Sequence, residues 1–123
     1  MGTIEEGVKQ TVENCLKIKA DENVVIITDK QTLDIGSALK DAISEITGKI
    51  RFFVMEDFGP RPIDFPQKIG DAIKTAEASI YAAQGAEGEL QTFRMAMIKA
   101  VDANHKLRHA HMIGITKEIM KLH

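Results

Sequence analysis

The run Asn23-Val24-Val25-Ile26-Ile27-Thr28 reads as a β-strand. It is compact and β-branched, and the polar pairs Asp21-Glu22 and Asp29-Lys30 bound it on either side. An uninterrupted apolar run of this length suits a strand buried on both faces, the pattern of a parallel sheet covered by helices.

Upstream of this strand, Ile4, Val8, Val12 and Cys15/Leu16 recur every three to four residues and predict an opening amphipathic helix that ends near Lys19 or Ala20. Downstream, Ile35, Leu39, Ile43 and Ile46 mark a second helical face, with Gly48 as its stop, and Ile50 to Met55 supplies the second strand. Glu56-Asp57-Phe58-Gly59-Pro60-Arg61-Pro62 cannot continue a central strand, because proline lacks an amide donor, so it reads as a surface connection. A third helix follows Pro66 through Ile69, Ala72, Ile73 and Ala76, and Ala78 to Ala83 forms a third strand closed by Gln84-Gly85. Leu90, Phe93, Met97 and Val101 predict a fourth helix, Leu107 to Ile113 a fourth strand, and Thr116 onward a fifth helix. The order αβαβαβαβα predicts an α/β domain of three αβα layers, flavodoxin-like or Rossmann-like, around a mostly parallel four-stranded sheet.

The 123 residues suffice for one domain with a real core, and no linker or repeat divides them, so residues 1–123 are expected to form a single α/β domain. The helical pattern from Lys117 to His123 stops without a cap, as if the natural chain continues. Sixteen basic against eighteen acidic side chains, with no basic run, lack the electrostatic footprint of a nucleic-acid binder. The longest apolar runs fall far short of the roughly 20 residues that span a bilayer. The N-terminus lacks the basic region and apolar core of an export signal, and Glu6 stands where a myristoylation signal has Ser or Thr, so a cytoplasmic location is expected. One cysteine excludes an intramolecular disulfide; beside Val12 and Leu16 it reads as a small core residue rather than a nucleophile.

In parallel α/β sheets ligands gather beyond the carboxyl ends of the strands, which here are the loops after Thr28, Met55, Ala83 and Ile113. Thr28, Lys30 and Arg61 are the candidate ligand-binding residues, suited to a small anionic metabolite. The spacing Thr28-x-x-Gln31 also reads as a helix capping box, and this outweighs a substrate contact. Gly85-Ala86-Glu87-Gly88-Glu89 resembles a phosphate cradle, but its two carboxylates would repel phosphate, so it reads as a flexible loop. Asp29 and Glu56-Asp57 end neighbouring strands if the first two strands pair, an arrangement that permits paired-carboxylate chemistry but is common in acidic loops. His109 and His111 share one face of the last strand, near His105, yet no Cys, Asp or Glu in the segment completes a metal set. No G-x-S-x-G, H-E-x-x-H or C-x-x-C occurs, and neither a catalytic residue nor a metal or other cofactor is expected in this chain.

Val12-Glu13-Asn14-Cys15-Leu16-Lys17-Ile18-Lys19, running into Asp21 to Asp29, resembles the opening of the thermophilic leucyl metallo-aminopeptidases of the aminopeptidase T type. His111-Met112-Ile113-Gly114-Ile115-Thr116-Lys117-Glu118-Ile119-Met120 is similar to the Met-Pro-Gly-Ile-Thr segment that closes the N-terminal domain in that family, with Ile113 in place of proline. The resemblance implies an N-terminal domain without the metal ligands, which belong to a later catalytic domain holding divalent metal ions. It further implies that this chain alone is inactive and has that C-terminal domain as its partner. A domain cut from such a partner is expected to expose an apolar patch and form homo-oligomers.

Overall fold

The structure is a computed structural model and describes residues 4–113. Helix α1 spans Ile4–Gln10 and widens into a π-helical turn over Thr11–Cys15, where the Leu16 amide donates to the Thr11 carbonyl five residues back at 3.0 Å. The wider turn rotates the residues that follow, so Thr11, Val12 and Leu16 are buried while Cys15 faces solvent. The expectation of a core cysteine is corrected by this change of pitch. The helix also stops at Cys15 rather than near Lys19, and the chain turns through positive φ at Lys17 and Asp21.

Strand β1 (Val24–Thr28) is buried along its whole length and is followed by α2 (Leu33–Ser44) and β2 (Ile50–Val54). A 3₁₀ turn over Met55–Phe58 leads to α3 (Gln67–Lys74), β3 (Ala78–Ala83), a π turn over Leu90–Arg94, α4 (Met95–Ala103) and β4 (Arg108–Ile113). The four strands are all parallel, in the order β2-β1-β3-β4. Gly114–Thr116 and the helix expected from Thr116 lie outside the described residues.

Side chains alternate along each strand, which divides the core into two halves. Val24, Ile26, Ile80 and Ala82 face α1 and α2 through Val8, Val12, Ile35, Leu39 and Ile43. Val25, Ile27, Tyr81 and Ala83 face α3 and α4 through Ile69, Ile73, Phe93 and Met97. The fold is therefore the expected three-layer α/β arrangement, and each fully buried aliphatic side chain contributes about 1.5–3 kcal/mol. Among the described residues no helix is long and apolar enough to cross a membrane.

Candidate functional site

The chain leaves β1 toward β2 on one side and returns to β3 on the other, so the strand order reverses between the carboxyl ends of β1 and β3. A crevice is expected at that point. Here it is filled by an ion-pair cluster built from four separate stretches of chain.

Asp29, immediately after β1, is fully buried. Its Oδ1 accepts the Thr32 amide at 2.9 Å and lies 2.6 Å from the Thr32 hydroxyl, and its Oδ2 accepts the Gln84 amide at 2.8 Å and the Arg61 guanidinium. Arg61 donates through Nε to Glu89 Oε2 at 2.9 Å, through Nη2 to Glu89 Oε1, and to the Gln84 carbonyl at 2.7 Å. Its side chain is 12% exposed against 0% for both carboxylates. Glu89 also accepts the Ile63 amide at 3.2 Å. Glu56, at the rim, accepts the Lys30 amide at 3.1 Å and stands 3.8 Å from Arg61 Nη1. Burial alone pushes the Asp29 carboxyl up, but hydrogen bonds from Thr32, Gln84 and Arg61 outweigh it and hold the group below its ordinary value. The hydrogen bond to Glu89 raises Arg61 above its already high value, against the opposing effect of burial.

Thr28, Lys30 and Arg61 thus have different fates. Thr28 is fully buried, with its hydroxyl 3.0 Å from that of Thr32. Lys30 is exposed. An anion brought to all three would compete with Asp29 and Glu89 for the guanidinium. The capping box is corrected: α2 begins at Leu33 after Thr32, and it is Asp29 that receives the Thr32 amide. Glu56 does approach Asp29 across paired strands, but Arg61 stands between them as counter-ion, while Asp57 is exposed. Nor is the connection carrying Arg61 wholly superficial, since Met55 and Ile63 are buried beside it.

Glu89 is the residue that sequence reasoning missed. The loop Gly85–Glu89 was expected to be flexible, yet its last side chain is fully buried and pins the loop to Arg61. The available signal was an arginine held between two prolines, Pro60 and Pro62, with a carboxylate at the start of a helical pattern to receive it.

On the α4 side of the sheet, the expected common face for His109 and His111 is observed. The two rings lie 6.0 Å apart, and His111 stacks on Tyr81 at 5.0 Å. His109 Nδ1 is 2.5 Å from the Ser79 hydroxyl. Among the described residues no group of three or more His, Cys, Asp or Glu is placed to hold a metal ion. Burial, assisted by His111, lowers the His109 imidazole to about 4. Above pH 6.5 the ring is neutral folded and unfolded; between 6.5 and 4 only the unfolded chain takes up the proton, so stability is lost as the pH falls through that window. The expected loss is about 2 kcal/mol, discounted for partial solvation. His109→Asn keeps an acceptor for Ser79 and should flatten this part of a urea-denaturation pH profile; an unchanged slope would assign it to other groups.

No protein-family model matches the chain, and no curated protein matches it by sequence. Among solved structures, wild-type AmpT from Thermus thermophilus superposes with a TM-score of 0.53 at 11% identity. The superposition covers 92% of this chain and 36% of AmpT, so the chain spans about a third of that protein's length. At this identity the likeness establishes a shared α/β fold with part of aminopeptidase T.

Proposed function

We propose that this chain is the N-terminal, non-catalytic domain of a metal-dependent aminopeptidase-like protein, serving as scaffold and as one wall of its substrate cavity. The observation that carries the reading is the fold likeness to a third of AmpT across nearly the whole chain. The sequence resemblance at Val12 to Asp29 and at His111 to Met120 points the same way. The filled crevice at Arg61 is consistent with a domain whose chemistry resides elsewhere. In this reading a C-terminal catalytic domain holds the divalent metal ions, the whole is cytoplasmic, and protomers associate as a homo-oligomer. Exposed Leu90, Met95 and Ile98 on and before α4 supply apolar surface for such contacts.

The test is the intact mass of the native protein, joined to a leucyl-peptide hydrolysis assay. A mass well above 13.6 kDa, with hydrolysis abolished by a chelator and absent from the 123-residue chain alone, is expected. A native protein of 13.6 kDa that hydrolyses nothing would overturn the proposal and select a stand-alone ligand-binding or oligomerisation module.

A further inference from the structure

Strand β2 ends the sheet, and among the described residues no strand pairs with its outer side. In a parallel pair the backbone groups of alternate residues point to the neighbouring strand. The Val24 amide donates to the Lys49 carbonyl at 2.9 Å, so Lys49, Arg51 and Phe53 turn their polar groups toward β1. Ile50, Phe52 and Val54 therefore turn theirs outward, away from the sheet. Along this edge runs a groove of about 380 Å³, walled by the strand itself and by Asp57, Phe58 and Lys68. Phe58 is 38% exposed, and its ring lies 6.2 Å from that of Phe53. Proteins usually protect such an edge with proline, lysine or a bulge. Ile50–Val54 has none of these: its register with β1 is unbroken, its residues are mainly β-branched and aromatic, and Arg51 is its one charge.

The edge is complementary to itself. Set antiparallel about a two-fold axis at Phe52, two copies bring Phe52 opposite Phe52 and Ile50 opposite Val54 on either side. The outward amides and carbonyls then meet as hydrogen-bonded pairs, each pair exchanging both of its bonds. Between these pairs, Arg51 stands opposite Phe53 of the second copy. Within one chain the Arg51 guanidinium already lies 5.8 Å from the Phe53 ring, so pairing brings it within reach of two rings. Lys49 comes level with Met55 of the second copy, beside its exposed Asp57, so the basic start of each strand meets the acidic end of the other. A parallel pairing would instead set Arg51 near Arg51 and Lys49 near Lys49, like charge against like. The two-fold arrangement also occupies the whole edge, so association through it stops at a dimer.

We propose that β2 is the contact surface for a second copy of this chain, the two sheets joining edge to edge, antiparallel, about Phe52. The proposal rests on the homo-oligomer part of the reading above and is independent of its aminopeptidase part. It is tested on the full 123-residue chain carrying Cys15→Ser, which removes the exposed native thiol. An edge contact lies at the small end of interfaces, so sedimentation velocity between about 1 and 500 μM should show a dimer with a dissociation constant on the order of 10–100 μM. Mild oxidation of added cysteines then reads the register. Opposed residues of a hydrogen-bonded antiparallel pair stand about 5.5 Å apart at Cα, within disulfide reach. Phe52→Cys should therefore cross-link to itself and double its mass. Ile50→Cys and Val54→Cys should each remain single alone and cross-link when mixed, which keeps the test decisive if the Phe52 variant fails to fold. Cross-linking in either test carries the proposal. A chain that stays monomeric across the concentration range overturns both the proposal and the homo-oligomer expectation. A dimer in which neither Phe52→Cys nor the mixed pair cross-links, or in which Ile50→Cys alone cross-links as fully as the mixture, overturns the proposal and assigns association to another face.

Discussion

Replacing Arg61 by methionine is expected to destabilise the fold by about 3–5 kcal/mol at neutral pH, the cost of leaving buried carboxylates without their cation. Asp29 and Glu89 are both fully buried, and Arg61 bonds to each of them. Methionine keeps much of the aliphatic volume, so the loss reports the charge rather than a cavity. Asp29 would retain Thr32 and Gln84, and Glu89 would retain the Ile63 amide, but neutral donors do not replace a guanidinium shared between two carboxylates. The pH dependence distinguishes this account from simple loss of packing. In the unaltered chain Asp29 titrates below its ordinary value, so its contribution is present at neutral pH and is lost as the pH falls through that lowered value. In the variant a carboxyl group without its cation favours the protonated form, so the deficit should be largest near pH 7 and shrink below about pH 5. Adding Glu89→Gln to Arg61→Met should recover part of the loss. Urea denaturation across pH 4–8 measures all of this, and a deficit below about 1 kcal/mol at pH 7 would mean that water, rather than Arg61, solvates the two carboxylates.

Gly36→Ala is expected to cost about 3 kcal/mol, near the upper part of the range for overpacked cores. Gly36 lies in the first turns of α2, where the helix crosses the carboxyl end of β1. A Cβ there would sit 2.7 Å from Thr28 Oγ1, 2.8 Å from its Cβ and 2.9 Å from its Cγ2. Thr28 cannot yield, because it is fully buried and its hydroxyl is engaged with Thr32. The helix must therefore lift from the strand, and Asp29 and Thr32 move with it. Thermal denaturation reads the effect directly, with Gly48→Ala as control, because nothing lies within 4 Å of a Cβ at Gly48. Equal shifts in the two variants would show that α2 does not bear on Thr28 as described.

The alternation of strands and helices was legible because each strand is short, apolar and bounded by polar residues. Ala78 to Ala83 is a strand over its whole expected length, and Val24 to Thr28 forms the centre of the sheet. The pitch of the helices was not legible. Two π turns, at Thr11–Cys15 and Leu90–Arg94, shift the side-chain phase, so Cys15 and Leu90 point to solvent although a 3.6-residue period places both on apolar faces. Arg61 was singled out from its position at a strand's end, but its partner Glu89 is 28 residues away, and no local pattern encodes a contact at that separation.

The cluster at Arg61 also links the motions of segments that look separate along the chain. The loop after β2 and the loop after β3 share Arg61 with Glu89 and Gln84, and they are joined again by the Phe65 amide to the Thr92 carbonyl at 2.9 Å and the Thr92 hydroxyl to the Ile63 carbonyl at 2.7 Å. Neither loop can swing away without stripping the other of its bonds. The two therefore form one cooperative opening unit, in which the amides of Ile63, Phe65 and Gln84 exchange with solvent together, like a latch with a single release.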